Sequence, residues 1–479
     1  MLPYIYHVTS CKITSKCYEN PEIVFNKYFY HVDFSTCCDI LEYVQLLLIQ
    51  EKHVMSENTA ADNQVKIIIL GCGSRGNAYA NYVKQFPDKV KIVAIAEPRD
   101  YHRNKMGDEH NIPEEYRFRS WDEALALPKF ADAVLICMQD AMHEIPAIRS
   151  AELGYHILLE KPMAPTEEAC RRIVDAVRKA NVYFAVCHVL RYTACTRKIK
   201  ELIKSGAIGD IVTIQRLEGV AHWHQAHSFV RGNWRNEKES SFMLLAKSCH
   251  DMDWIRYVMD KPCNQVQSFG SLYHFSEKNQ PEGAADRCLD CPVAVESLCP
   301  YSAVNFYIRE RALKGLFHWP VDVITSDLTV GGVMKALQTG PYGRCVYKCD
   351  NDVVDNQVVN MKFNDGSTAS FTMTAFCNDG RQTRICGTKG AIYSDEQHIW
   401  LTDFITGKRT DFDTNILNDN GITSGHGGGD FGVMGSFIAA IQENNPEYIL
   451  TGLDDTLEGH LIAFKAEDSR REGKIFELN

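Results

Sequence analysis

Two short runs hold residues suited to taking a proton from an alcohol. In Glu160-Lys161-Pro162 the lysine follows an aliphatic strand, at the edge where open α/β sheets bind ligands. An ammonium held there can hydrogen-bond a substrate hydroxyl; the plainer alternative is a surface lysine in a strand–loop turn. In Ala246-Lys247-Ser248-Cys249-His250-Asp251-Met252-Asp253, His250 and Asp253 are three apart and share one helix face. A neutral imidazole near pH 7 suits general-base work on a hydroxyl, with Asp253 orienting the ring or touching the substrate. Its alternative is a helix-start histidine beside a capping serine.

Two further clusters offer binding rather than proton transfer. His222, Trp223, His224, His227, Arg231, Trp234 and Arg235 crowd rings and guanidinium donors together. Planar faces with multidentate donors grip polyhydroxylated ligands, so His224, Arg231 and Trp234 read as a sugar or cyclitol pocket, against an ordinary loop. The spacing of the three histidines fits no standard metal motif. Cys288, Cys291 and Cys299 resemble three-quarters of a structural zinc site, with Cys345, Cys349 or His274 as candidates for a fourth ligand. The second C-x-x-C that would complete the pattern is absent, so unliganded thiols are the favoured reading and no metal is expected.

A glycine loop supplies the partner for the proton chemistry. Lys66 to Gly76 reads KIIILGCGSRG. Ile67 to Leu70 suit a parallel strand buried on both faces, and they run straight into Gly71, Gly73 and Gly76. Gly71 permits a tight turn, Gly73 lets a pyrophosphate approach the backbone, and Gly76 lets the next helix pack on the strand. That helix opens near Ser74 and Arg75 and turns unpaired N–H groups toward the phosphates. A second aliphatic strand, Val90 to Ala96, ends at Glu97, about 20 residues past the last glycine. A carboxylate there accepts both ribose hydroxyls of an adenosine and repels a 2′-phosphate, which favours NAD over NADP. Arg99, two residues on, could soften that preference. With a nicotinamide in the crevice, Lys161 can reach over it.

The elements that must position these groups fall into two grammars. From Lys66 to Val186 strands alternate with helices: Ile67–Leu70, Val90–Ala96, Ala133–Met138, Ile157–Glu160 and Val182–Val186, with amphipathic stretches such as Thr166–Ala180 between. That pattern predicts a doubly wound parallel sheet. Beyond it, Val359, Met361 and Phe363 alternate with polar residues, Asn364-Asp365-Gly366 turns the chain, and Ala369, Phe371 and Met373 resume. This is a hairpin of a mostly antiparallel sheet in an α+β domain. Helices are expected at Asp430–Gln442 and Leu453–Arg471, with Gly425 to Gly429 as a flexible loop before the first. The expected division is 1–62, a poorly defined extension; 63–187, a Rossmann domain; and 188–479, a domain for substrate and oligomerisation.

Bulk properties narrow the function classes. The 479 residues suit two or three domains, and a formal charge of −11 discourages nucleic-acid or anionic-membrane binding. No apolar stretch reaches membrane-span length and no signal peptide is visible, so a cytoplasmic protein with its 18 cysteines reduced is expected. Residues 1–54, rich in Tyr, Phe and Cys, read as dispensable, with a targeting or partner-binding extension as the alternative.

Together these motifs resemble the glucose–fructose oxidoreductase, inositol dehydrogenase and MocA-like (Gfo/Idh/MocA) family from about residue 63 to the C-terminus. The resemblance implies dinucleotide contacts at Gly71, Gly73, Ser74, Arg75 and Gly76, and a ribose acid at Glu97. It also implies cofactor contacts at His143, Glu160, Lys161, His188 and Arg191. His250 and Asp253 match the active-site helix. Two positions depart from the family: Met138-Gln139 stands where Thr-Pro is usual, and Ala246 where an aspartate often precedes the active-site histidine. Lys247 and His224 are candidate substitutes in the proton relay. The expected activity is NAD(P)-dependent oxidation of a secondary hydroxyl of a sugar, sugar derivative or cyclitol, with Lys161 and His250 catalytic. The alternatives are redox-neutral, NAD-assisted glycoside cleavage and a non-catalytic nucleotide sensor. The resemblance further implies a homo-oligomer built through the exposed sheet face.

Overall fold

The computed structural model describes residues 64–416 and 426–478. The extension at 1–62 and the first residue of the glycine loop at 425 lie outside these. Among the described residues no helix is long and apolar enough to cross a membrane.

Six strands form the first sheet: β1 (Val65–Leu70), β2 (Val90–Ala96), β3 (Arg117–Phe118), β4 (Ala133–Ile136), β5 (His156–Leu159) and β6 (Phe184–Val186). All pair in parallel, in the order 3-2-1-4-5-6. That order reverses direction between β1 and β4, and the crevice beyond their carboxyl ends is where such sheets bind dinucleotides. Ile67, Ile68, Ile69 and Leu70 are wholly buried because helices cover both faces. These helices are α1 (Ser74–Gln85), α2 (Asp100–Glu109), α3 (Trp121–Leu125), α4 (Glu144–Glu152) and α5 (Glu167–Ala180). Thr166 caps α5 as its sequence suggests, its side chain accepting from the Ala169 N–H. The two-residue β3 escapes sequence reading.

The second sheet has nine strands: β7 (Ile211–Gly219), β8 (Cys263–Ser271), β9 (Asn356–Phe363), β10 (Thr368–Thr374), β11 (Arg381–Gly387), β12 (Gly390–Ser394), β13 (His398–Asp403), β14 (Arg409–Asp413) and β15 (Phe476–Glu477). Their order is 14-13-12-11-7-10-9-8-15, with β7 and β10 parallel and the remaining neighbours antiparallel. The β9–β10 hairpin turns at Gly366, whose φ of +89° needs glycine. Helix α6 (Ala194–Lys204) precedes β7. Val359, Met361, Phe371 and Met373 point inward onto α7 (Cys249–Met259) and α10 (Leu453–Glu472). The opposite face leaves Val212, Phe269 and Val358 exposed.

One helix packs across the expected boundary at 187/188. A helix near the chain's end, α9 (Gly429–Gln442), buries Val433, Met434, Phe437 and Ile438 against Ile67, Ile69 and Tyr79 of the first sheet layer. Residues 272–355, between β8 and β9, hold short helices and α8 (Val330–Thr339), with small cores of their own around Phe275 and Tyr307.

Candidate active site

The glycine loop is built as its residue types require. Gly71 sits at φ +97°, and an added Cβ there would meet the Cys137 carbonyl oxygen at 2.7 Å; at Gly76 it would meet the Gly71 carbonyl oxygen at 2.1 Å. Gly73 differs, since the nearest atom is Arg99 Nη2 at 3.6 Å. Gly73 also stands at the N-cap of the twelve-residue α1, where no side chain caps the free N–H groups. A loop with open space over a bare helix start fits a pyrophosphate. Glu97, at the end of β2, turns a buried carboxylate to this loop: Oε2 accepts from the Cys72 N–H at 2.9 Å. Arg99 folds onto the same carboxylate, with Nε 2.6 Å from Oε1 and Nη2 3.0 Å from Oε2. Burial pushes the Glu97 pKa up, but the Arg99 contacts outweigh it and hold the group below its ordinary value.

Glu160 anchors the next layer. Its Oε1 accepts from Arg75 Nε and from the Tyr79 hydroxyl, both at 2.6 Å, so the turn after β5 is bolted to α1. Its Oε2 accepts from the Lys161 N–H at 2.8 Å. Arg75 also donates to Asp430 at 2.7 Å, which ties α9 into the same cluster, and His426 meets Asp430 at 3.1 Å. The Lys161–Pro162 peptide is cis. His143, wholly buried, braces this turn, with Nδ1 2.8 Å from the Pro162 carbonyl oxygen and Nε2 3.2 Å from that of Met138.

From this turn Lys161 reaches 2.6 Å to the carbonyl oxygen of Ala246, just before the helix that carries His250. At the position where the resemblance calls for a carboxylate, the backbone itself receives the ammonium. His250 is buried and its Nδ1 has no hydrogen-bond partner among the described residues. Burial, then the charge of Lys161, keeps its pKa well below the usual histidine value, so the ring is neutral and able to take a proton. His188 lies 5.6 Å from it ring to ring, wholly buried, with neither ring nitrogen hydrogen-bonded among the described residues, although Nε2 lies 3.8 Å from Asp253 Oδ1. His224 is also held neutral, by burial and then by Lys247, His227 and Lys161. Lys247 itself pairs with Glu218 at 3.2 Å, and Arg381 links Glu218 to Asp251. The loop's open cradle and the His188 and His250 ring nitrogens without hydrogen-bond partners among the described residues fit a dinucleotide.

Not every expected contact is free for a ligand. Sequence reading places Arg191 at the cofactor and Asp253 at the substrate; the structure pairs them with each other. Arg191 Nε and Nη2 reach the two Asp253 oxygens at 2.8 and 2.7 Å, both side chains wholly buried. Burial raises the Asp253 pKa even with Arg191 opposing it. Sequence reading places Arg231 in a sugar pocket; it is buried instead and donates to the carbonyls of Arg344 and Tyr301 at 2.8 Å, and to Cys288 Sγ. There Cys288, Cys291, Cys299 and Cys345 line a cavity of 20 Å³. Among the described residues no set of three or more His, Cys, Asp or Glu is arranged to hold a metal. Trp234, partly exposed, leans on Phe229 at 6.3 Å.

His426, Asp430 and His460 escaped sequence reading. His460 accepts from the Met163 N–H at 2.8 Å and so fixes the far side of the Pro162 turn. His426 ends 6.1 Å from the His250 ring. Their signal was a histidine and an aspartate four apart across a glycine run that opens a helix.

The chain is similar to known proteins. Residues 65–188 match the family described as "Oxidoreductase family, NAD-binding Rossmann fold", and residues 200–471 its C-terminal alpha/beta domain. YteT of Bacillus subtilis (strain 168), an oxidoreductase by name, is 25% identical over 344 residues, 69% of this chain and 77% of YteT. Myo-inositol 2-dehydrogenase of Thermotoga maritima is 24% identical over 208 residues, 43% of this chain and 59% of that enzyme. The D-glucoside 3-dehydrogenase of Escherichia coli (strain K12) is 25% identical over 215 residues, 43% and 57% of the two chains. Among solved structures, levoglucosan dehydrogenase with NADH and levoglucosan shares the fold at a TM-score of 0.61 and 17% identity, covering 86% of this chain and 99% of that one. The chain therefore belongs to the Gfo/Idh/MocA oxidoreductase family and carries its NAD-binding Rossmann fold.

Proposed function

We propose that the protein transfers a hydride between NAD and a secondary hydroxyl of a sugar, sugar derivative or cyclitol. The observation that carries this is the ammonium of Lys161, fixed 2.6 Å from the Ala246 carbonyl beside a neutral, buried His250. Bound NAD supplies the hydride acceptor. Gly71, Gly73, Gly76 and the start of α1 at Ser74 and Arg75 would hold its phosphates, Glu97 its ribose, and His188 the end nearest Lys161. Lys161 hydrogen-bonds the substrate hydroxyl and stabilises negative charge growing on that oxygen. His250 takes the hydroxyl proton, which its neutral state allows. Glu160 holds the lysine turn in place, and His224 faces the sugar. The names of the inositol and glucoside dehydrogenases among the relatives support this substrate class. Copies of the chain associate through the outer face of the second sheet, where Val212, Phe269 and Val358 are exposed.

Lys161→Ala tests the assignment. With both the hydrogen bond to the hydroxyl and the charge stabilisation removed, turnover should fall by about a hundredfold or more, while NAD affinity changes little. Unchanged turnover on a sugar or cyclitol that reduces NAD would sink the role of Lys161. Net NADH accumulation separates this reading from a redox-neutral one.

A further inference from the structure

The insertion between β8 and β9 carries a groove that the hydride-transfer reading does not use. We propose that it is an outer saccharide subsite, so that the substrate carries a second sugar ring: the reacting ring lies at Lys161 and His250, and its linked neighbour lies over Trp223, Phe306 and Trp319. The inner half of this proposal rests on the dehydrogenase reading; the outer half stands on its own geometry.

The groove encloses 520 Å³ and is lined by Trp223, Phe306, Arg311, His318 and Trp319 among others. That volume lies within the range of small-molecule sites. Its floor is aromatic. Trp223 stacks on Phe306 at 5.5 Å and meets the Trp319 ring edge-on at 5.7 Å. Trp319 nevertheless stays 38% exposed, a large apolar face left open beside polar groups. Arg311 lies 3.6 Å over the Phe306 ring and gives one donor to the Phe306 carbonyl. Among the described residues no carboxylate pairs with it; the neighbouring Glu310 pairs with Lys314. Stacking faces flanked by unclaimed N–H donors suit a ring with C–H faces and equatorial hydroxyls. His318 Nδ1 already meets the Trp319 carbonyl oxygen at 2.9 Å, but an apolar partner would leave the remaining N–H groups of Arg311 without acceptors.

His224 joins this groove to the inner site. Its ring stacks on Trp223 and meets Trp319 edge-on, each at 5.4 Å. The charges of Lys247 and Lys161 also act on it. One imidazole thus borders the groove and belongs to the surroundings of the lysine that would address the reacting hydroxyl.

Titration calorimetry on the NADH-loaded full chain tests this without requiring turnover. The probes are cellobiose, maltose and lactose, each against methyl β-D-glucoside. At least one disaccharide should bind about tenfold tighter than the methyl glucoside, a difference of about 1.4 kcal/mol. Trp319→Ala, and separately Arg311→Met, should weaken that disaccharide by about tenfold more than they weaken the methyl glucoside. Disaccharides no tighter than the methyl glucoside, absence of binding by any probe, or equal weakening of both classes would each overturn the subsite. Tight disaccharide binding with no NADH formed from NAD would keep the subsite and count against the dehydrogenase reading alone.

Discussion

Gly73→Ala should separate cofactor binding from folding, because the three loop glycines are confined for different reasons. At Gly71 and Gly76 a methyl would strike backbone oxygens at 2.7 and 2.1 Å, so either substitution distorts the loop and costs about 1–3 kcal/mol of stability. Gly73 has φ −77°, open to alanine, and its methyl would meet only the flexible Arg99 side chain at 3.6 Å. The lost freedom of glycine in the unfolded chain stabilises by about 0.4–1 kcal/mol, and the poorer N-cap costs a similar amount. Stability without cofactor should therefore stay within about 1 kcal/mol of the parent.

The same methyl occupies the space a pyrophosphate needs against the start of α1. A tenfold loss of affinity corresponds to about 1.4 kcal/mol. With NAD at about a hundred times the parent Kd, the cofactor stabilises the parent by about 2.7 kcal/mol and a tenfold weaker variant by about half of that. Thermal unfolding with and without NAD reads both quantities, and calorimetry gives Kd directly. A Gly73→Ala protein with the parent's NAD-induced shift would refute the cradle. A large loss of Tm before NAD is added would refute the steric reading.

Three other outcomes follow from the same geometry. Glu97→Ser should release Arg99 from its two-point pairing and remove the charge that repels a 2′-phosphate, moving the Kd ratio toward NADP by tenfold or more; an unchanged ratio would place the ribose elsewhere. Asp253→Ala leaves a wholly buried Arg191 with the Leu450 carbonyl and the more distant Asp455 at 3.4 Å as acceptors, and urea unfolding should record a loss toward the low end of about 3–5 kcal/mol; a catalytic defect at full stability would instead make Asp253 a substrate contact. Burial depresses the pKa of His188, His224 and His250, and that of His227 to about 3. Unfolded histidines titrate near about 6.5, so below that pH the unfolded chain binds protons that the folded chain refuses. Stability should fall on acidification, by up to about 2 kcal/mol per histidine between about pH 8 and about pH 5. A flat stability profile over that range would contradict neutral buried rings.

What the sequence disclosed and what it withheld divide along the reach of the interactions. The β1–glycine loop–α1 unit is local: the strand period, the glycine spacing and the helix start lie within a dozen residues, and the structure places Gly71 and Gly76 where φ or neighbouring carbonyls demand glycine. The β9–β10 hairpin is legible for the same reason. Side-chain partners are not. Arg191 and Asp253 are 62 residues apart, and their types are equally suited to a ligand or to each other. Only the fold reveals that they pair with each other. Arg231 is similar: a guanidinium near histidines and tryptophans suggests a sugar, yet its acceptors are carbonyls 113 and 70 residues away. Nothing in the periodicity of α9 tells that it returns to the first sheet, because an apolar helix face does not name the surface it covers.

Ala246 shows how a missing side chain is absorbed by the backbone. A carbonyl oxygen orients the Lys161 ammonium without neutralising it, since it carries no net charge. The nearby carboxylates are engaged: Glu160 by Arg75 and Tyr79, Glu218 by Lys247 and Arg381. The lysine charge is therefore left to act on its surroundings, and it has two effects. It disfavours protonation of His250, which keeps the proposed base neutral before substrate arrives but also weakens it as a base. In the proposed reaction it also favours negative charge on the hydroxyl oxygen as the proton leaves. A carboxylate at position 246 would weaken both effects by sharing the ammonium. The departure at Ala246 is thus compatible with oxidation of an alcohol, with positioning supplied by the chain and charge reserved for the reacting oxygen.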